Sequence, residues 1–346
     1  MNQLNPKKNR IKPLLLTIIS SLMASILLII GINVVKDPAT STIEKKDPVV
    51  DQNIWPREVN ALNGTVLILE KPQRILTASV GHDELTVALV KLDKLVGVAG
   101  ITKNQTYSNV ADLVQSIPEI DRDPENIVAL NPDIVVTSEY FPEESIQRLN
   151  DLNIPVIQTG MASSIEEQKD TILLLGRIYG EEQRATQLVA EIAERYDFIQ
   201  SVIEQQNGSK KKKVLSITRY SDQIWAAGSD STEGMIIESA GGINTAAESG
   251  IKGNMTTSIE GVIEMAPQII IIAQPRESGG DEFREYLVNS RVTQQIPAVL
   301  NNKIYFVETK HFTTLSFWNI RGIEELAKLL WPEDIGDKSF GGFSLP

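Results

Sequence analysis

Glu125-Asn-Ile-Val-Ala-Leu-Asn-Pro-Asp-Ile-Val-Val136 and Glu260-Gly-Val-Ile-Glu-Met-Ala-Pro-Gln-Ile-Ile-Ile271 are two copies of one pattern. Each reads as a glutamate, a short apolar helix, a proline and a buried strand of branched aliphatic residues. Asp123 and Ser258 stand two residues ahead of the glutamates, at the position where a short polar side chain caps a helix. Each glutamate therefore falls in the first turn of an equivalent short helix. Taken singly, such a carboxylate serves its own helix, worth ~0.3–1 kcal/mol against the helix dipole. Taken as a matched pair, Glu125 and Glu260 describe a symmetric surface that docks one partner through two anionic points.

Around the first copy, short apolar runs alternate with amphipathic stretches. Arg74–Ala78, Leu95–Gly100, Ile134–Ser138 and Pro155–Thr159 read as buried parallel strands. Helices are expected near Asp83–Leu92, Pro124–Leu130, Pro142–Leu152 and Ser164–Tyr179. Around the second copy, strands are expected at Val214–Thr218, Gln268–Ala273 and Lys303–Val307, with helices near Thr232–Ala240, Ile259–Met265, Glu282–Val288 and Phe317–Leu330. Between the two, Glu181 to Gln206 contains no Gly or Pro, and Ala185, Leu188, Val189, Ile192, Tyr196, Ile199 and Ile203 form one stripe at helical spacing. A single helix there runs ~39 Å. The expected fold is α/β: two similar lobes with mostly parallel sheets, joined by one long rigid helix. The expected divisions are 1–36 membrane anchor or signal, 37–70 linker and lobe entry, 71–180 N-terminal lobe, 181–207 linking helix, 208–331 C-terminal lobe and 332–346 a loose tail.

The chain of 346 residues has a net charge of -12, which argues against general nucleic-acid binding. That balance is uneven: residues 1–36 hold five bases and no acid, leaving 28 bases against all 45 acids beyond Lys36. Leu14 to Val35 is a run of 22 uncharged residues behind Lys7, Lys8, Arg10 and Lys12. As a helix it would span ~33 Å, enough to cross a bilayer core, with a cytoplasmic N-terminus. Its length and the lack of an Ala-x-Ala pattern favour an uncleaved anchor over a cleaved signal. Either way the lobes are extracytoplasmic. There are no cysteines, which excludes disulfides, thiolate metal sites and cysteine nucleophiles.

Catalytic patterns are missing. The chain has no phosphate-binding loop, no Gly-x-Gly-x-x-Gly and no nucleophile elbow. With only His82 and His311, a three-histidine metal site is impossible. No catalytic residue, metal site or cofactor is expected.

In its order of motifs, the chain resembles the helical-backbone class of ABC-transporter substrate-binding proteins, which bind ferric siderophores, cobalamin or haem. The resemblance runs from about Gln73 to Leu330. It rests on Pro72-Gln-Arg-Ile-Leu with Glu84, Leu95-Val-Gly-Val, the two repeated units, the lone linking helix, Ile296-Pro-Ala-Val and Lys303-Ile-Tyr-Phe-Val. It implies lobes that open only slightly and a partner made of a permease dimer with a cytoplasmic ATPase. It also places the family's docking glutamates at Glu125 and Glu260, opposite arginines of the permease. The chain departs from many members in lacking a lipid-carrying cysteine.

In open α/β sheets, ligands lie beyond the carboxyl ends of the strands. Those ends present His82, Tyr140, Arg219, Tyr220, Arg276, Lys310, His311 and Phe312, the expected ligand-binding set. Arg219, Arg276 and Lys310 would form a cationic group suited to an anionic ligand, such as a ferric complex of catecholates or carboxylates. The alternative for each residue is a loop charge meeting solvent. Trp225 and Trp331 read as packing residues, and Trp318 as either. The leading expectation is therefore an importer's binding component for an iron-siderophore, cobalamin or haem-type chelate. An anchored extracytoplasmic sensor or scaffold is the alternative, and an enzyme on a similar two-lobed fold the third.

Overall fold

The computed structural model describes residues 54–346 apart from 122, 161, 163 and 207–210. The expected anchor (14–35) and tether (37–53) lie outside the described residues. Among the described residues no helix is long and apolar enough to cross a membrane. Residues 57–68, expected as lobe entry, form an antiparallel hairpin of β1 (Arg57–Ala61) and β2 (Gly64–Ile68). Its turn is pinned to the first lobe by Asn63, whose amide nitrogen donates to the Val156 carbonyl and whose oxygen accepts from the Gln158 N–H.

Chain order in the first lobe is β3 (Ile75–Thr77), α1 (Val80–Leu89), β4 (Leu95–Ala99), β5 (Glu119–Ile120), α2 (Pro124–Ala129), β6 (Ile134–Ser138), α3 (Glu143–Asp151), β7 (Val156–Thr159) and α4 (Ile165–Tyr179). The strands form a parallel sheet in the order β5-β4-β3-β6-β7. Ile134, Val135 and Val136 are fully buried, as expected for a central strand covered on both faces. Gly180 ends α4 in the left-handed conformation, and α5 (Glu182–Gln205) follows as the linking helix, ~36 Å long. Its buried positions Ala185, Leu188, Ile192 and Ile199 are those of the predicted stripe, joined by Val202.

The second lobe runs β8 (Lys213–Tyr220), β9 (Gln223–Ala227), α6 (Thr232–Ser239), β10 (Ile243–Asn244), α7 (Thr245–Glu248), β11 (Asn254–Thr257), α8 (Ile259–Met265), β12 (Ile269–Ile272), α9 (Gly280–Asn289), α10 (Pro297–Leu300), β13 (Ile304–Phe306), α11 (Thr309–Phe312) and α12 (Asn319–Leu330). Its sheet order is β11-β9-β8-β12-β13, with β10 beside the start of β8. Here the lobes diverge. β8, β12 and β13 are parallel, whereas β9 turns back on β8 and β11 runs antiparallel to β9. The reversal is a two-residue turn with positive φ at both Ser221 and Asp222, the backbone twist that suits a tight hairpin.

The repeat extends to atoms. Asn131 and Ala266, each just ahead of its proline, both have positive φ, 48° and 45°. After the prolines, Asp133 accepts from the Gln73 and Arg74 N–H groups, and Gln268 from the Lys213 N–H. Each unit is thereby sewn to the chain entering the first strand of its own lobe.

A continuous apolar core runs from Ile75 and Val136 through Leu188, Ile192 and Ile199 to Ile236, Ile271 and Ile323. The segment expected to be a loose tail packs instead. Phe343 lies edge-on to Phe317 and Trp318, and Arg195 sits over its ring with a guanidinium N–H donating to the Gly341 carbonyl. Burial of the aromatic ring holds the segment against the lobe.

Candidate functional site

Both sheets point their carboxyl ends at a cavity of about 880 Å3 between the lobes. From the first lobe it is lined by Glu139 and Tyr140, just past β6, and by Ala162. The second lobe supplies most of the wall: Ser216 and Thr218 of β8, Tyr220 at its end, Trp225 of β9, and Asp230 and Glu233 around the start of α6. Gly253 and Asn254, then Thr313 and Leu315, complete it.

A tight loop brings α6 to this wall. Ser231 caps the helix, accepting from the Gly234 N–H (3.0 Å) while its hydroxyl donates to the Gly228 carbonyl (2.7 Å). A Cβ on Gly234 would stand 2.1 Å from that same carbonyl, so only glycine permits the approach. Glu233 is held beside the cavity in a buried position. Burial pushes its carboxyl up to about 6, opposed by hydrogen bonds from its own backbone N–H and from Asn254. Among the described residues the lining holds three carboxylates and no lysine, arginine or histidine.

The predicted residues divide. Tyr140 and Tyr220 line the cavity, with 61% and 48% of their surfaces exposed. The expected cationic wall is not formed. Arg219 reaches Asp222 at 2.6 Å and lies over the Tyr286 ring. Arg276 pairs with Asp281 at 3.0 Å and lies over Phe306. Lys310 is half-buried outside the lining, and its carbonyl accepts from Asn109. His311 faces Glu325 of α12 at 3.8 Å. Phe312 is fully buried in the core and presents no surface to a ligand. For Arg219, Arg276 and His311 a carboxylate nearer in the fold takes the side chain, although the backbone sits where a strand-end rule places it.

His82 lines a second, smaller chamber of about 20 Å3 with Gly81, Ser138, Thr159 and Gln168. Its ring nitrogens contact the Ser79 hydroxyl (2.7 Å) and the Thr159 hydroxyl (2.8 Å). Burial lowers its pKa to about 4, so the ring is neutral at physiological pH. Trp225, read as a packing residue, lines the main cavity, whereas Trp331 is buried and donates to the Ala240 carbonyl. Trp225, Asp230 and Glu233 reach the site because β9 folds back beside β8 and delivers the start of α6 to the cavity, a reversal the apolar pattern does not reveal. The Tyr220-Ser-Asp-Gln223 turn between Ile217 and Ile224 was the available signal. No cluster of metal-ligating side chains occurs among the described residues.

Between the lobes, below the cleft, Glu84 of α1 is fully buried. One carboxylate oxygen accepts from the Asn109 N–H and amide, and the other from the Thr314 and Ser316 hydroxyls of the second lobe. At the cleft rims, α2 and α8 begin at the carboxyl edges of their sheets, with Asp123 and Ser258 as caps and Glu125 and Glu260 exposed in the first turns.

Comparison with known proteins agrees with this architecture. The profile of the periplasmic binding protein family matches residues 75–310. The ABC transporter substrate-binding lipoprotein YvrC of Bacillus subtilis is 26% identical over 84% of this chain and 91% of its own length. The molybdate-binding protein MolA of Haemophilus influenzae is 24% identical over 73% of this chain and 71% of its own. Its molybdate-bound structure superposes with a TM-score of 0.69 at 21% identity, covering 82% of this chain and 94% of that one. The apo haem-binding protein RhuT of Roseiflexus sp. RS-1 gives 0.64 at 22% identity, covering 76% and 99%. With the family profile spanning most of both lobes, and the single linking helix and interlobe cleft already in place, the chain belongs to the periplasmic binding protein family.

Proposed function

We propose that this protein is the extracytoplasmic substrate-binding component of an ABC importer. It captures a bulky metal chelate, of iron-siderophore, cobalamin or haem type, in the interlobe cleft and delivers it to a membrane permease. The observation that supports this best is the open cavity of about 880 Å3 between two lobes held on one helix. Small-molecule pockets span ~300–1,000 Å3, so this one lies near the upper end and a bare oxyanion would leave most of it empty. Tyr140, Tyr220 and Trp225 offer broad faces to a flat or bulky ligand. Glu125 and Glu260 are the docking points for the two halves of the permease, and residues 14–35 hold the lobes at the membrane. The relative YvrC is described as a lipoprotein. This chain has no cysteine to carry such a lipid, so attachment falls to the N-terminal apolar run.

Equilibrium titration of the purified protein with metal chelates, followed by Trp225 fluorescence and recovery of the ligand, tests the reading. One chelate bound per chain and recovered chemically unchanged is the expected outcome. Conversion of the ligand, or no binding of any chelate class, would remove it.

A further inference from the structure

Gln168 of α4 is 2% exposed, and neither its amide nitrogen nor its amide oxygen has a hydrogen-bond partner. A buried polar group left unpaired costs about 1–3 kcal/mol, so such a residue calls for an explanation. Gln168 forms part of the small chamber beside the main cleft. Ala162 and Leu315 line both spaces and form the partition between them. Three of the chamber's other polar side chains are already engaged, His82 and Thr159 with each other and Thr171 with the Glu167 carbonyl.

We propose that this chamber is a specificity subsite of the cleft, in which Gln168 reads one neutral group of the ligand that both donates and accepts, such as a hydroxyl or the end of a carboxamide. This rests on the chelate-binding reading and narrows it. A carboxylate in the chamber would satisfy only the Gln168 NH2 and would be buried without a cation, which is strongly unfavourable. The main cleft points the same way: Glu139, Asp230 and Glu233 line it with no cation among the described residues. The ligand favoured by both spaces has no net negative charge and carries neutral hydrogen-bonding groups at its edge. At about 20 Å3 the chamber has room for roughly one water. A ligand hydroxyl or amide tip would take that water's place, the Ala162–Leu315 partition giving way to admit it.

Gln168→Met keeps the side-chain shape and removes both unpaired atoms, so the apo variant should melt at or above the wild-type temperature. Four probes are titrated by fluorescence against both proteins: cyanocobalamin, which is neutral with carboxamides at its edge; a ferric trihydroxamate; ferric enterobactin, a trianion; and haemin, which bears two carboxylates. The expected result is at least tenfold tighter binding of one of the first two than of either anionic probe. The same probe should lose tenfold or more on Gln168→Met. An anionic probe binding tightest, or unchanged affinity in Gln168→Met (a resident water only), overturns the subsite while leaving chelate binding intact. Binding of none of the four overturns the chelate reading and the subsite with it.

Discussion

Asp83 is fully buried in α1, where one carboxyl oxygen accepts from the Ala99 N–H (3.0 Å) and the Thr102 hydroxyl. The other oxygen faces the buried Thr77 hydroxyl, without a hydrogen bond of full geometry. Burial pushes this carboxyl up to about 8, against the pull of those hydrogen bonds, with neighbouring Glu84 adding to the rise. The native state therefore keeps the proton to about pH 8, whereas the unfolded chain releases it near 3.8. This group's contribution to stability is complete below the lower value and is lost as pH rises toward the higher one. Asp83→Asn escapes that loss. Its stability relative to wild type should grow by about 1.4 kcal/mol per pH unit between pH 5 and 7, measured by urea unfolding across a pH series. A pH-independent difference would mean that Asp83 is ionised in the native protein. Residue-scale chemistry of this kind was hardly legible in the sequence. Glu84 stood out as a recurring position, yet its partners Asn109, Thr314 and Ser316 lie 25 to 232 residues away along the chain. Likewise Arg219 was correctly placed at the end of its strand, but its turn toward Asp222 depends on a hairpin that the apolar pattern did not reveal.

Among the elements, the linking helix α5 was readable from one helical periodicity over its length, and β12 from a short unbroken run of four isoleucines behind a proline. β9 and β11 were not, since β11 is exposed at Asn254, Met255 and Thr256 in succession and neither carries a run of branched aliphatic residues. The helices α2 and α8 bring the repeat to a test. If Glu125 and Glu260 dock on the permease, Glu125→Ala and Glu260→Ala should each cut uptake in reconstituted vesicles, the double variant most, with ligand affinity unchanged. Lysine at either position should do worse than alanine, since like charges would meet across the interface. Wild-type uptake by the double alanine variant would return both residues to a purely local role at their helix starts. α1 allows a separate measurement. Glu84→Ala leaves four hydrogen-bond donors without their acceptor, and should destabilise the protein by at least about 1–3 kcal/mol. Hydrogen exchange should rise in residues 309–316 before other parts of the second lobe, because that segment loses its hold on α1. Exchange rising uniformly would mean that Glu84 is not a specific tie. The C-terminal segment is tested by Phe343→Ala, which should cost about 2–4 kcal/mol in urea unfolding, against nearly nothing for a detached tail.

For the whole molecule, the described residues form one compact unit, and the apolar core passes without a break from one lobe through α5 to the other. Two lobes sharing a core should unfold together. Far-ultraviolet circular dichroism and tryptophan fluorescence should give coincident urea transitions, and the calorimetric and van't Hoff enthalpies should agree. Two separated transitions would show lobes that are stable on their own. The lobes match in their repeated units but differ in their sheets, since only the second folds a strand back beside its first. That hairpin and the later segments of the same lobe supply nearly the whole wall of the cleft, the first lobe adding Glu139, Tyr140 and Ala162. The two lobes therefore carry unequal shares of the ligand site. On the docking proposed above, a membrane partner would meet an exterior with matched halves, while the cargo would meet an interior formed mainly between Ser216 and Leu315. Because α8 and Glu260 fall inside that same stretch, a change of cargo there must keep the start of α8 fixed, whereas the first lobe can stay almost as it is.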